Sequence, residues 1–299
     1  MTTPSLRGVI AAIPTPLTEG GNADPAAFVA LARHLLDNGC DALNVLGSTG
    51  EATSFSVAER MAVMDVAAAE LPLARLMVGT GAAAVTDAVA LTRKAAELGF
   101  AGALVLPPFY YKGVPNDGVL DYLQQIGDAT ADSAIPLYLY NFPAMTGVAY
   151  TPELVAGAID RLGSRIAGIK DSSGDLPYCR ALVAMAPQLA VFPATEAALL
   201  EARTGAFAGC ISASANVNSD LCARAFHQGD TDASAKAVAI RGLVAGPAIA
   251  ANVKALLSAS LDRPGLRRVR PPMVAVAEAR AAELARQADD IRSGPSSVA

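Results

Sequence analysis

Short apolar runs alternate with amphipathic segments along most of the chain. The eight apolar runs are Gly8–Ile13, Asp41–Leu46, Arg75–Gly79, Ala101–Leu106, Ile135–Tyr140, Arg165–Lys170, Leu189–Phe192 and Phe207–Ser212. These runs lack polar alternation, which is typical of parallel strands buried beneath helices. Amphipathic segments such as Ala26–Asp37 and Thr86–Leu98 lie between them. The pattern therefore predicts repeated strand–helix units.

The eighth unit ends near Gln228, and eight is the number of units that closes a (β/α)8 barrel. The residues that follow predict helices only, over Ser234–Ala245, Ile249–Ser260 and Pro272–Ile291. We therefore expect an α/β fold, a (β/α)8 TIM barrel over residues 1–228 with a C-terminal helical extension over residues 229–299. A doubly wound open sheet would produce the same alternation and is the alternative.

Composition narrows the class of protein. Hydrophobic residues make up 53% of the 299 residues and charged residues 17%, which provides a substantial core. The net charge is −5, and the densest basic segment, Arg263–Arg270, is interrupted by Pro264 and Gly265. We expect that segment to be a solvated or interface loop, and we expect no nucleic-acid partner.

The sequence shows no targeting segment and no membrane span. The longest uncharged stretch, Ser133–Pro152, contains Pro136, Pro143 and Gly147, which a spanning helix tolerates poorly. The four cysteines have no paired spacing, which is typical of reduced thiols. These features predict a cytoplasmic protein with no membrane partner.

Metal and nucleotide chemistry find little support. The two histidines, His34 and His227, have no partner at metal-ligand spacing, so we expect no metal site. Gly79-Thr80-Gly81 fits a relaxed dinucleotide motif, but it follows the third strand rather than the first. Close packing at a turn is the better interpretation of these glycines.

The ends of the predicted strands carry the candidate chemistry, because barrels place active sites there. The sixth run ends at Lys170, after four apolar or small residues. An amine enclosed by such neighbours is costly to keep charged, and a neutral amine can attack a carbonyl to form a Schiff base. A lysine that reaches solvent or pairs with Asp171 is the equally weighted alternative.

Three further segments lie on the same predicted rim. Tyr138 and Tyr140 share one face of the fifth run, so at least one can point into the barrel mouth and transfer protons. The turn Gly47–Glu51 offers backbone N–H groups and two hydroxyls, a plausible cradle for a small carboxylate. Phe109–Tyr111 is an aromatic loop suited to a subunit contact or a lid.

Together these segments resemble the dihydrodipicolinate synthase / N-acetylneuraminate lyase family of class I, pyruvate-dependent aldolases. Five motifs occur in register over nearly the whole chain. They are Gly47–Glu51 (GSTGE), Pro108–Tyr111 (PFYY), Tyr140–Gly147 (YNFPAMTG), Gly168–Asp175 (GIKDSSGD) and Gly209–Asn216 (GCISASAN). The resemblance implies a lyase without metal or organic cofactor, since a covalent Schiff base on the lysine serves as the electron sink.

The resemblance also implies roles for individual residues. Lys170 is similar to the Schiff-base nucleophile and Tyr140 to the general acid/base. Ser48 and Tyr110 match the rest of a hydroxyl relay, with Tyr110 supplied by a neighbouring subunit of a homotetramer. Thr49 matches the residue that binds the pyruvate carboxylate. Ile211 matches a residue that lines the Schiff-base pocket.

The substrate is less sharply implied. Synthases carry an arginine at the position of Met145, where it grips the carboxylate of aspartate semialdehyde; a thioether cannot replace a guanidinium. Lyase-like members hold sugar hydroxyls with residues that match Ser172, Glu196 and Ser212, although Thr195 replaces their aspartate. We therefore expect pyruvate plus an aldehyde from a hydroxylated 2-oxo-3-deoxy acid.

Several alternatives stay open at this point. Dihydrodipicolinate synthesis, 4-hydroxy-2-oxoglutarate cleavage and sugar-acid dehydration occur in the same family. A catalytically idle pyruvate-binding barrel is the alternative that is not an enzyme. The presence of Lys170, Tyr140, Ser48 and Tyr110 together argues against the idle barrel, because binding alone needs no relay.

Overall fold

The computed structural model describes residues 6–133 and 135–294. Its strands are β1 (Gly8–Ala12), β2 (Ala42–Val45), β3 (Leu76–Gly79), β4 (Gly102–Val105), β5 (Leu137–Asn141), β6 (Ile166–Asp171), β7 (Ala190–Pro193) and β8 (Gly209–Ser212). All neighbours pair in parallel, in the order β7-β6-β5-β4-β3-β2-β1-β8. The Ala208 amide also donates to the Val191 carbonyl at 2.9 Å, between the two ends of the sheet. The predicted barrel is confirmed as a nearly closed one, and the strand order excludes a doubly wound sheet.

Twelve helices accompany the strands in the described part of the chain. They are α1 (Pro25–Asp37), α2 (Val57–Glu70), α3 (Val85–Leu98), α4 (Asn116–Ala129), α5 (Pro143–Thr146), α6 (Pro152–Leu162), α7 (Leu176–Met185), α8 (Leu199–Arg203), α9 (Ala215–Ala223), α10 (Thr231–Val244), α11 (Ile249–Ser260) and α12 (Glu278–Ser293). Helix starts follow the local sequence. Asp24 and Ser56 cap α1 and α2 by accepting backbone N–H groups, and Pro25 occupies the first turn of α1.

The core has two parts, because alternate residues of each strand point to opposite sides of the barrel wall. The larger part lies between the strands and the surrounding helices. The smaller part fills the barrel interior with Ile10, Ala42, Met77, Leu104, Tyr138, Tyr140, Phe192 and Ile211. Tyr138 packs deep in this interior at 6.2 Å from Phe192, whereas Tyr140 lies nearer the carboxyl ends of the strands. Of the two tyrosines, Tyr140 is thus the one placed at the mouth.

The three predicted C-terminal helices are present as α10, α11 and α12, but α12 begins at Glu278 rather than near Pro272. Pro271 and Pro272 lack backbone N–H donors, and the chain stays non-helical until Ala277 caps α12. The basic segment before it is tied to the barrel rather than simply solvated. The guanidinium of Arg270 lies 3.9 Å from the Phe55 ring centroid and its Nη2 donates to Glu59 at 2.6 Å.

The length and hydropathy of the helices and the state of the cysteines bear on the sequence predictions about membranes and disulfides. Within residues 6–133 and 135–294, no single helix is long and apolar enough to cross a membrane; α10 and α11 meet the criterion only as a pair bent by 112°. The cysteines are free and buried, and burial raises the pKa of the Cys40 thiol to about 12. They are small core residues rather than exposed thiols.

Candidate active site

The ends of β5 and β6 bring Tyr140 and Lys170 side by side, since the two residues are register partners. Each is about 3% exposed, and the Lys170 Nζ lies 4.3 Å from the centroid of the Tyr140 ring. Among the described residues, the contact of this amine is with the face of the Tyr140 ring, and the carboxylate of Asp171 accepts from Asn141 and Ser173 instead. Lys170 therefore neither reaches bulk solvent nor pairs with Asp171, the two alternatives that its position in the sequence left open.

Asp171 is occupied by other donors. Its Oδ1 accepts from Asn141 Nδ2 at 2.7 Å, and its Oδ2 accepts from the Ser173 hydroxyl at 2.8 Å and from the Ser173 backbone N–H at 3.2 Å. These bonds link the end of β5 to the loop after β6. The aspartate thus stabilises the strand ends that carry the lysine and the tyrosine.

The turn after β2 brings a second hydroxyl group, that of Ser48, next to the hydroxyl of Tyr140. The Ser48 Oγ lies 3.3 Å from the Tyr140 hydroxyl, and Thr49 is buried at the same turn. Gly50 is tightly packed, because a Cβ there would lie 3.1 Å from the Ile13 carbonyl and 3.2 Å from the Leu46 backbone. Glu51 ends the turn in the left-handed conformation, with φ of 58°.

A cavity of about 540 Å³ opens above these residues. Ser48, Thr49, Tyr140 and Lys170 line one side of it. Two further predicted site residues, Ser172 and Ile211, line it as well, together with Thr195, which replaces the aspartate of lyase-like members. Since pockets for small organic ligands span roughly 300–1,000 Å³, the space exceeds what a three-carbon oxo acid needs. The structure thus brings most of the predicted site residues together around one open cavity.

Glu196 and Ser212 lie behind the wall of this cavity rather than on its surface. Both are fully buried. The Glu196 Oε1 accepts from the Ser212 hydroxyl at 2.8 Å and from the Ser214 hydroxyl at 2.6 Å, and its Oε2 lies 3.3 Å from Nη1 of Arg241. It is Arg241, on α10, that reaches the cavity.

Tyr110 and Met145 lie outside the cavity lining of their own chain. Tyr110 is 74% exposed and packs edge-on against Tyr111, and Met145 is 58% exposed on α5. The exposed aromatic pair agrees with a loop that makes its contacts elsewhere. Neither residue belongs to the lining of its own chain's cavity.

Two basic residues of the C-terminal helices escaped the sequence reasoning. One is Arg241. The other is Lys254 on α11, whose ammonium donates to Glu51 Oε1 and, at 2.7 Å, to the Arg268 carbonyl. Burial lowers the pKa of Lys254, although the charge of Glu51 opposes the shift. A single charge within an otherwise apolar helix, Ile249–Ser260, was the available signal for this buried pair.

The glycine motif after β3 serves packing. A Cβ on Gly79 would lie 2.1 Å from the Leu46 carbonyl, and one on Gly81 would lie 2.4 Å from the Leu106 backbone nitrogen. No group of three or more His, Cys, Asp or Glu side chains that could hold a metal ion occurs within the described ranges.

Comparison with known proteins identifies the family. A sequence model of the Dihydrodipicolinate synthetase family matches residues 5–291. The chain belongs to this family. An uncharacterized DapA-like lyase of Chloroflexus aurantiacus is 37% identical over 265 residues, which cover 86% of this chain and 88% of that protein.

Solved structures of family members share the architecture. Dihydrodipicolinate synthase from Agrobacterium tumefaciens superposes with a TM-score of 0.87 at 28% identity, over 95% of this chain and 99% of that one. YagE, a prophage protein of the family from E. coli K12 whose structure contains pyruvate, gives a TM-score of 0.82 at 27% identity, over 96% and 98%. The chain is therefore a lyase of the pyruvate-dependent aldolase type.

Proposed function

We propose that the protein is a Schiff-base aldolase in which Lys170 attacks the C2 carbonyl of a 2-oxo acid. The observation that carries this proposal is the buried Lys170 amine beside Tyr140 at the edge of the cavity. The amine faces the cavity from the end of β6, where it can reach the carbonyl carbon of a bound 2-oxo acid, and a lysine amine forms Schiff bases with such carbonyls. The pyruvate in the YagE structure supports a 2-oxo acid as its target.

In the proposed reaction, Thr49 and the backbone of its turn hold the carboxylate of the 2-oxo acid. The neutral Lys170 nitrogen forms a bond to C2, and one of its protons passes to the former carbonyl oxygen to give a carbinolamine. Tyr140 supplies the second proton, so that the oxygen leaves as water and a protonated imine remains, and the Tyr140 phenolate becomes the base for the next step. When the substrate's C4 hydroxyl then gives up its proton, the C3–C4 bond breaks, its electron pair moves into the imine to form an enamine, and an aldehyde departs.

Tyr140 needs a path for these protons. Ser48 lies 3.3 Å from its hydroxyl and is the first member of the proposed relay. The second member is Tyr110 of a neighbouring subunit in a homotetramer, which is consistent with the 74% exposure of Tyr110 within one chain. Protonation of the enamine at C3 and hydrolysis of the imine then release pyruvate.

The substrate that we propose is a hydroxylated 2-oxo-3-deoxy acid. The cavity has room beyond the pyruvate portion, and the hydroxyl of Ser172 and the side chain of Ile211 line it. Glu196 and Ser212 shape this end from behind through Arg241. Met145 places no cation in the lining of this chain's cavity, which argues against semialdehyde recognition at that position.

The test is covalent trapping. Borohydride reduction in the presence of pyruvate should add one reduced pyruvyl group per chain, measured by intact mass. Lys170→Ala should abolish the adduct, whereas Lys94→Ala should retain it, because Lys94 pairs with Asp65 on the outer surface. Labelling that persists in Lys170→Ala would refute the role of Lys170.

A further inference from the structure

We propose that Arg241 forms a binding subsite for a second carboxylate, at the end of the substrate that is remote from Lys170. The inference rests on the proposed aldolase function and deepens it. It assigns the substrate to the class of 2-oxo acids that carry an anionic carbon chain, so that the aldehyde product itself bears a carboxylate.

Arg241 is the positive charge at the end of the cavity remote from Lys170. Among the described residues that line the cavity, the charged ones are Lys170, Asp171 and Arg241. Lys170 is assigned to the 2-oxo group, and Asp171 is engaged by Asn141 and Ser173. Arg241 is therefore the cation that remains for the rest of the substrate. Its side chain is 27% exposed, so the guanidinium is only partly screened by solvent.

The guanidinium of Arg241 contacts the Glu196 carboxylate through one nitrogen only. Only Nη1 of Arg241 is used, at 3.3 Å from Glu196 Oε2 and 3.2 Å from the hydroxyls of Ser212 and Ser214. Among the described residues no acceptor engages Nε or Nη2. A guanidinium that served only as a counter-ion would be expected to present its two-donor edge to the carboxylate.

The same chain shows what such a counter-ion looks like. Arg180 donates through both Nε and Nη2 to the two oxygens of Glu201, at 2.8 Å each. Arg241 instead holds Glu196 by one corner and keeps the Nε–Nη2 edge unpaired. That edge matches a planar carboxylate, which can accept two parallel hydrogen bonds from it.

Three buried side chains on the protein side of Arg241 hold its orientation. Glu196, Ser212 and Ser214 are fully buried and bond to one another as well as to Nη1. An arginine fixed in this way loses little conformational freedom when a ligand arrives. Glu196 and Ser212 are thus positioning residues for Arg241, since they act on the substrate through the guanidinium.

The experiment compares two non-cleavable probes by isothermal titration calorimetry. The first is 2-oxoglutarate, and the second is 5-methyl-2-oxohexanoate, in which an isopropyl group replaces the distal carboxylate with a similar shape. Wild type should bind 2-oxoglutarate about 10- to 100-fold more tightly than the probe with the uncharged distal end, the range expected for a charge-assisted hydrogen-bonded pair. Equal affinities in wild type would overturn the proposal.

Single substitutions test whether Arg241 causes the preference for 2-oxoglutarate. Arg241→Gln should reduce the affinity ratio to near one, and Arg241→Lys should retain part of it. Arg161→Gln is the matched control, because Arg161 pairs with Asp117 and Asp121 on the helical surface, and it should keep the wild-type ratio. A ratio that survives Arg241→Gln would refute the subsite.

Two further variants separate folding and chemistry from recognition. If Arg241→Gln alone fails to fold, the double variant Arg241→Gln/Glu196→Gln removes both charges and should fold with the same loss of preference. Lys170→Ala should weaken both probes while keeping their ratio. A preserved ratio without any pyruvate adduct in wild type would support the subsite and reject the Schiff base; a ratio lost in Lys170→Ala would count against a separate subsite.

Discussion

Two buried glutamates at the barrel mouth are each paired with a cation from the C-terminal helices, but in different surroundings. Glu51 and Lys254 are 0% and 1% exposed and are sealed between the turn after β2 and α11. Glu196 is equally buried, yet its partner Arg241 is 27% exposed and opens onto the cavity. We call Glu51–Lys254 the sealed pair, because both of its side chains are closed to solvent. We call Glu196–Arg241 the open pair, because its cation faces the cavity.

The difference shows how the extension contributes to the barrel. Lys254 and the backbone N–H of Arg270, which donates at 2.7 Å, occupy both oxygens of Glu51. The carboxylate therefore fixes the left-handed end of the turn that carries Ser48 and Thr49. The second pair leaves donors unused. The extension thus stabilises the proposed pyruvate end of the cavity and places a cation, Arg241, in the lining at the other end, where we propose that it recognises the substrate.

The largest loss of unfolding free energy should come from removing the cation of the sealed pair, Glu51–Lys254. Lys254→Met leaves the Glu51 charge buried without a cation, which costs about 3–5 kcal/mol of unfolding free energy. A chain of this size should then melt at a temperature lower by on the order of 10 °C. Thermal unfolding followed by circular dichroism measures the shift.

The control for that prediction removes both charges. Glu51→Gln/Lys254→Met should recover most of the lost stability, because replacing a buried ion pair by uncharged groups is far less costly than orphaning one member. A double variant as unstable as the single one would show that packing, rather than charge, accounts for the loss.

The barrel and its reactive end could be predicted from the sequence because they rest on local signals. Lys170 and Tyr140 each end an apolar run, and Ser48 and Thr49 lie in a glycine-bounded turn. In a parallel barrel all strand ends meet on one rim, so the order of the runs suffices to bring these residues together. The periodicity therefore places these positions on one rim, and the resemblance to the aldolase family selects Tyr140 over Tyr138.

The remote end could not be predicted in the same way. Arg241 lies on a helix whose pattern is ordinary, and its contact with Glu196 spans 45 positions in the sequence. The family resemblance implied that Glu196 and Ser212 hold substrate hydroxyls, but the sequence could not show that both contact Arg241 and that Arg241 lines the cavity. The position of a side chain on a C-terminal helix depends on how that helix packs against the barrel. The spacing of apolar residues in the strands carries no information about that packing.

A smaller effect should come from the open pair. Arg241→Met removes the cation of Glu196, but the hydroxyls of Ser212 and Ser214 remain and water in the cavity can approach. We expect a loss of about 1–3 kcal/mol, the cost of an incompletely satisfied buried group, and less than for Lys254→Met. The same thermal unfolding experiment measures it. Equal losses in the two variants would contradict the distinction between a sealed and an open pair.

The smallest effect should come from a third link between the C-terminal segment and the barrel, which lies at the surface. Hydrogen bonds from Arg270 and from the backbone and hydroxyl of Ser56 lower the pKa of Glu59 to about 2, from an ordinary 4.5. A carboxylate with a lowered folded-state pKa contributes stability above its unfolded pKa and loses it as the pH falls toward the folded one. The Glu59 side chain is 40% exposed, so solvent screening limits the contribution to about 1 kcal/mol or less.

Glu59→Gln should therefore lower the melting temperature by no more than about 2 °C at pH 6. Because the wild-type carboxylate loses its advantage between about pH 4.5 and 2, the gap between the two proteins should narrow steadily below pH 4.5. Glu19→Gln is the matched control, since Glu19 is 91% exposed and meets Arg268 at 3.3 Å, and it should show no measurable gap. A Glu59→Gln gap that stays constant from pH 6 to 3.5 would mean that packing of the Gln side chain, rather than loss of the charge, causes the difference. A gap as large as that of Lys254→Met would instead show that exposure does not rank the three links between the C-terminal segment and the barrel.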